Sequence, residues 1–378
     1  MACINQVAVI SHQSLRIMSE KKNQHYIPKF YLRNFSFQNN GKEIGVYNLL
    51  NDFFVSKGKL KSQGSKNFYY GQDCVIENEL ANIENVLAQQ LKKITSDEEI
   101  PKKLTKEHID LLLFVCLTDL RNPVRINSFK NGFIEMGKRL TELDPNIDLK
   151  NFIPILSHDD AVKMSMSSIQ EVIEEIVDLD FKILKNITKQ PFLTSDFPIV
   201  KYNQFLEDRN WPLSKSGYGL SGLQIFIPLN SEKMLVFYDS EIYKIGDKKQ
   251  KIVLINDVLE IENLNILQFV NCFGNIYFNE KTSEEYIRKL VVKSKKYKRA
   301  NESTAHTSYL MDKKTDKINE IKKGKENLII VGSIDVETRL KISQIKIHSK
   351  GQYKKLNSTA AQLRKHCEKR MMEKRNYR

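Results

Sequence analysis

The stretch "FKILKNITKQPFLTSDFPIV", residues 181–200, marks the point where this 378-residue chain changes its periodicity. Before it, apolar side chains recur every three or four residues. From Phe181 onward they come in short runs bounded by turn residues: "FKILKNI", "PFLTS", then "GLQIFIPL" and "MLVFYD". Runs of that length, rich in Ile, Val and Phe and broken by Gly, Pro, Asn and Ser, predict strands of a small antiparallel sheet. A helix over 257–272 and a strand at "NIYFN" follow.

Upstream, Ile76, Leu80, Ile83, Leu87, Leu91 and Ile94 form one stripe at helical spacing, which predicts a helix over 76–95. Thr105 is placed to cap the next helix, 105–121, whose sequence is apolar nearly all round and belongs at the centre of a bundle. Pro123 opens a further helix over 124–141, and "DDAVKMSMSSIQEVIEEIVDL" reads as another. Nearer the start, "IPKFYLRNFSF" and "EIGVYNLL" read as two strands joined by an Asn-Gly turn. The expectation is an α+β protein: a mainly helical N-terminal half packed on a small, mostly antiparallel sheet, both sharing one core, with a basic C-terminal extension.

Charge divides the chain more sharply than hydropathy does. From Arg288 to the end there are 26 Lys and Arg against 9 Asp and Glu, a net of +17, whereas 1–287 carries −3. Such asymmetry suits a polyanion partner such as nucleic acid, although a lysine-rich solvated tail has the same composition. Residues 1–22 read as a flexible leader, with Met18 an alternative start; 23–287 as the α+β body; 288–326 as a basic linker or arm; 327–378 as a small basic strand and helix segment separable from the body. The longest apolar run, "IDLLLFVCLTDL", is interrupted by Asp110 and Asp119 and is too short to span a bilayer. The five cysteines have no paired spacing, which argues against a cysteine-built zinc site and makes the cytoplasm the default compartment.

No phosphate-binding loop, dinucleotide fingerprint, HExxH or GxSxG is present. What remains is a scatter of polar residues in apolar settings. Taken as a strand, "HYIPKFYLRNF" puts Lys29, Tyr31 and Arg33 on one face, with His25 and Tyr26 just before it, a grouping able to bind phosphate and move a proton. The alternative is a loop histidine beside solvated cations. Glu77 and Glu84 lie seven residues apart beside the apolar stripe, and Arg121 and Arg125 of "RNPVR" offer them a cationic partner, structural or catalytic. Ser195 and Asp196 end a strand before Pro198, a place that suits a functional carboxylate and a turn cap equally.

In this order, "HYIPKFYLRNF", "IENELANIE", "LRNPVR", "PFLTSDFPIV", "IFIPLNSEKMLVFYD" and "LNILQFVNCFGNIYF" resemble the bacterial and fungal domain of unknown function 4238 over residues 24–285. Members of that family open on a His-aromatic-x-Pro signature that closes on Leu-(Arg/Lys)-x-Phe. This chain departs from it with "RNP" for a usual Arg-Thr-Pro, "HY" for a frequent double His, and Lys29 for a common Gln. The resemblance implies no activity, but it raises the standing of His25, Arg33, Glu77, Glu84, Arg121 and Asp196 as site residues. The expected function is a hydrolytic nuclease of a prokaryotic toxin or antiviral-defence type. His25 would be its acid or base, Arg33 and Arg121 its phosphate ligands, and Mg²⁺ a candidate cofactor on Glu77, Glu84 and Asp196, with a metal-free His/Arg mechanism open beside it. Catalytic roles fall to His25, Glu77, Glu84, Arg121 and Asp196; substrate contacts to Tyr26, Lys29, Arg33, Arg125 and Ser195. The alternative is a nucleotide or nucleic-acid sensor without turnover, acting as a homo-oligomer or with a defence-system partner protein.

Overall fold

The computed structural model describes residues 22–143, 145–146, 148, 157–300, 303–309, 327–356 and 362–376. The expected leader, apart from its last residue, and the 310–326 part of the expected linker lie outside the described residues. In chain order the strands are β1 (Asn23–His25), β2 (Glu43–Asn48), β3 (Phe53–Lys59), β4 (Ser65–Asn67), β5 (Asp180–Asn186), β6 (Thr194–Ser195), β7 (Val200–Tyr202), β8 (Gln224–Pro228), β9 (Lys233–Tyr238), β10 (Tyr243–Ile245), β11 (Ile252–Ile255), β12 (Asn275–Phe278), β13 (Ser303–Tyr309), β14 (Asn327–Ser333) and β15 (Ile345–Ile347). The helices are α1 (Lys29–Arg33), α2 (Val75–Lys92), α3 (Lys106–Leu120), α4 (Pro123–Leu143), α5 (His158–Ser167), α6 (Ile169–Ile176), α7 (Gln204–Glu207), α8 (Val258–Asn271), α9 (Glu284–Ser294), α10 (Ser349–Gln352) and α11 (Lys365–Asn376).

The strands foreseen after Phe181 build a five-stranded sheet in the order β11-β5-β9-β8-β7, antiparallel except for the β11–β5 edge. Its side chains alternate between two cores, as pleating requires. Phe181, Ile183, Ile225, Ile227, Leu235 and Phe237 join a core with α1, α2, α3 and α6. Leu184, Phe226, Met234, Val236 and Tyr238 join a second core with α8, α9 and the C-terminal segment. Both faces are covered, which is why these strands read as nearly continuous apolar runs.

The N-terminal half is not simply helical. Residues 23–67 supply β1–β4 before α2 begins, and β2 and β3 belong to a four-stranded antiparallel sheet in the order β3-β2-β12-β6. That sheet mixes early and late chain, since Tyr277 of β12 pairs with Val46 on one side and Thr194 on the other. The approach is close: a Cβ on Gly45 would stand 2.1 Å from the Phe278 ring. Early and late chain thus share one sheet, while the apolar side chains gather in two cores rather than the single one expected.

The opening motif is not a strand either. Residues 29–33 form α1, entered through Pro28 at φ −54° and ψ 126°. Ile27, Tyr31, Leu32 and Phe35 are all buried, a helical rather than alternating set. Tyr31 anchors the turn from within the core, its hydroxyl donating to the Pro228 carbonyl at 2.7 Å and pairing with the Thr194 hydroxyl at 2.6 Å. Burial of an aromatic at i+4 outweighs the β-propensity of its neighbours.

The chain beyond 287 does not part from the body. Residues 284–294 are helix α9 rather than linker, with Ile287 and Leu290 buried and Lys289 and Lys293 paired to the buried Glu262 of α8 at 2.6 and 2.5 Å. Strands β13 and β14 pair antiparallel, and β15 pairs with β10. Val336, Leu340, Ile342 and Ile345 complete the second core. The basic helix α11 lies against acidic α6, where Arg370 pairs with Glu174 at 3.0 Å and Lys374 with Glu171 at 3.7 Å. Just ahead of α11, the buried Arg364 pairs with Asp178 at 3.0 Å. Part of the surplus charge read as a nucleic-acid grip is therefore spent inside the fold. No helix among the described residues is long and apolar enough to cross a membrane.

Candidate functional site

His25 is the last residue of β1, and the backbone of Ile27 returns to the Gly64 carbonyl at 3.1 Å, holding the histidine against the loop that precedes α2. That loop carries Tyr69 and Tyr70. Tyr70 donates to the His25 carbonyl at 3.0 Å and Tyr69 to the Arg121 carbonyl at 2.8 Å. The Tyr26 ring lies tilted against Tyr69, 5.5 Å between centroids. An aromatic wall therefore joins the strand end to the start of the "RNPVR" segment.

Arg121 caps the C-terminus of the buried helix α3 and is only 1% exposed, so the helix end drags a full charge out of water. Its Nη2 donates to Glu84 Oε1 at 2.7 Å. Burial works against this guanidinium, but Tyr70 and Glu84 hold it charged, with Glu77 adding to the same effect. Its Nε and Nη1 are buried and make no well-formed hydrogen bond, with the Tyr70 hydroxyl close enough to interact with the guanidinium. The Nε2 of His25 is likewise buried without a hydrogen-bond partner. Burial, then the charge of Lys29, lowers the pKa of His25 below its ordinary 6.5, while a Lys61 backbone bond and Glu84 act the other way. At neutral pH the imidazole is therefore uncharged, a base with an unused nitrogen. His25, Tyr70, Glu77, Glu84 and Arg121 form one electrostatic cluster with Lys29 at its edge.

Asp196 is a different kind of carboxylate. It follows β6, and all its capacity is used: Oδ1 accepts from Phe273 N at 2.7 Å, and Oδ2 from Gly274 N at 2.9 Å and Asn275 N at 2.7 Å. Burial pushes its carboxyl up to about 6 even against those donors. Its own carbonyl accepts from Asn122 at 2.8 Å, so it lies next to the Arg121 segment without entering the His25 cluster. It reaches the site only through its field on Tyr26. Asp196 organises the 273–275 loop in this structure. Among the described residues no three His, Cys, Asp or Glu side chains stand together as a metal would need, so Glu77, Glu84 and Asp196 do not fit a shared Mg²⁺.

The other expected substrate contacts divide. Arg33 is exposed beside Gly41 and takes no part. Ser195 is buried, donating to Gln268 Oε1 at 2.7 Å inside the core. Arg125, one turn past Arg121, serves a separate group: its Nε donates to Asp119 at 2.9 Å, and Tyr218 donates to the same carboxylate. Tyr70, Asp119, Lys201 and Tyr218 were not singled out from the sequence. A carboxylate at position 119 within the buried, largely apolar run 111–120 of α3 was the available signal for that second group. The paired tyrosines of "FYYGQD" were the signal for the first.

A family model described as a protein of unknown function, DUF4238, matches residues 23–282. The chain belongs to this family. No curated protein and no solved structure matches it. The DUF4238 region holds the whole His25–Arg121 cluster and Asp196, while Val336, Leu340, Ile342 and Ile345, which close its second core, lie beyond the match.

Proposed function

We propose that this DUF4238 chain is a nuclease that hydrolyses phosphodiester bonds at the His25–Arg121 cluster. The observation that carries the reading is that Arg121 and His25, which feel each other's charge, both hold buried nitrogens whose bonding is incomplete. Such groups cost free energy unless a ligand supplies the missing bonds. An oxyanion would satisfy Arg121, and a hydroxylic nucleophile would satisfy a neutral imidazole.

In the step that follows, His25 Nε2 takes a proton from water as its oxygen bonds to phosphorus. The bond from phosphorus to the leaving ribose oxygen breaks, and that oxygen recovers a proton from the imidazolium or from solvent. Arg121 opposes the charge that gathers on the equatorial oxygens, which is where a preorganised donor helps most. Glu84 keeps Arg121 fixed and charged between turnovers.

The test is incubation of the purified chain with end-labelled RNA and DNA, with Mg²⁺ or EDTA, beside His25→Gln. Cleavage lost in the variant with the fold retained supports the nuclease. Binding without cleavage in the wild-type chain replaces it with a sensor whose site is a static anion pocket.

A further inference from the structure

On the far side of the 121–125 segment the same polypeptide builds a second cationic group. A small half-open recess is lined by Arg125 and Ser128 from the first turns of α4, Lys201 from β7, Phe197, Ser216 and Val336. Lys201 is half-buried, and its ammonium lies 4.1 Å from the Tyr218 ring centroid. Among the described residues it has no hydrogen bond or ion pair. Of the carboxylates around it, Asp335 is occupied and Asp119 only in part, since its buried Oδ1 has no partner. Asp119 Oδ2 accepts from Arg125 and Tyr218, and Asp335 accepts from the backbone of Lys215 at 2.8 Å and of Ser216 at 3.1 Å, as well as from the Ser216 hydroxyl.

An ammonium set in a recess beside a second cation, with no acceptor of its own, is costly to keep. Burial, then Arg125, brings the Lys201 amine down to about 7, with Asp119, Asp335 and the Cys116 thiol opposing that fall. What is missing is a ligand of negative charge with several acceptor oxygens.

We infer that the Arg125–Lys201 recess is a phosphate-binding subsite, with Lys201 and Arg125 meeting the oxyanion and the Ser128 hydroxyl at its rim. This deepens the proposed function and rests on it for the identity of the anion, since a strand cut at the His25 cluster would seat another of its phosphates here. The two sites are tied by four residues of backbone, with Arg121 serving one and Arg125 the other.

The experiment is calorimetry on the full chain carrying His25→Gln, so that nothing is turned over. The probes are inorganic phosphate and short RNAs of one sequence with either a 5′-phosphate or a 5′-hydroxyl end. Phosphate is expected to bind, and the phosphorylated RNA to bind about tenfold more tightly than its hydroxyl twin, in line with a charge-assisted contact. Lys201→Met should erase that difference while thermal unfolding stays cooperative. Ser128→Leu, which fills the rim without touching an ion pair, should do the same. If phosphate gives no heat, or binds equally to both variants, the subsite does not exist. Cleavage by the unmutated chain is scored separately: a chain that cuts RNA yet shows no dependence on Lys201 keeps the nuclease and loses the subsite. Lysine-dependent phosphate binding without cleavage does the reverse.

Discussion

The Asp196 region and the Arg121 region bury opposite charges a short way apart and treat them differently. Asp196 has a donor for every lone pair it needs, three of them backbone N–H groups from 273–275. Arg121 has one carboxylate and two nitrogens left over. From sequence the two looked alike: each is a charged residue two positions before a proline at the end of an apolar element. Asp196 thus spends its bonding capacity on a loop, whereas Arg121 keeps some in reserve, as do buried groups elsewhere such as His108 Nε2 and Trp211 Nε1.

The variants that can break this comparison order themselves by their effect on stability. Asp196→Asn should come first. It turns an NH₂ toward the backbone donors that a carboxylate satisfied, at a cost of about 3 kcal/mol in denaturant unfolding. A loss below about 1 kcal/mol would mean that the 273–275 loop does not depend on it. Glu84→Gln should follow. Stranding a buried arginine costs about 3–5 kcal/mol in the general case. Glu84 is 22% exposed, and water can reach its position, so about 2 kcal/mol is expected here. Arg121→Met should cost less than its partner's loss, under about 1 kcal/mol, because Glu84 can turn to water while the methionine fills the apolar space. Cleavage should nonetheless fall by about two orders of magnitude or more. If Arg121→Met proves the more damaging to stability, the arginine is structural and the distinction from Asp196 collapses.

The smallest stability effect, and a large functional one, is expected at His25. His25→Gln should leave the unfolding midpoint within a degree or two, while removing a general base that contributes about 10²–10⁴-fold. The pH dependence has a definite sign. In the unfolded chain the imidazole takes its proton near 6.5, and in the fold it does so lower, so the native state resists protonation. Cleavage should therefore rise with pH through an apparent pKa below 6.5 and then level. The contributions of His25 and of His108, which burial against Phe181 brings down to about 4, should both be lost on acidification below 6.5, while Asp196, raised to about 6, acts in the opposite sense over the same range. A cleavage profile that rises only above pH 7 would remove His25 from the role of base.

Much of the scaffold was legible because long elements repeat their pattern often enough to be unambiguous. The stripe from Ile76 to Ile94 and the all-round burial of α3 came through intact. The opening motif did not, because five residues give too few repeats to separate a helix from a strand, and its aromatics favour the wrong answer. The spacing of Ile27, Tyr31 and Phe35 held the right one. The His25, Glu84 and Arg121 grouping could be assembled from charge placed beside apolar surface. The fate of Asp196 could not, since its donors come from a loop nearly eighty residues further on. Backbone donors leave no mark in side-chain identity.

Strand β10 at 243–245 waits for β15 at 345–347 to cover its edge, and the second core waits for Val336, Leu340 and Ile342. A ribosome delivers these pieces in order, so about a hundred residues of synthesis separate the edge from its cover. During that interval the nascent chain holds a nearly finished His25 cluster on an unfinished body, with an open strand edge and an apolar floor exposed to other chains. A candidate site encoded early and a core closed late make the closing of the second core, rather than the assembly of the cluster, the later step in building this fold.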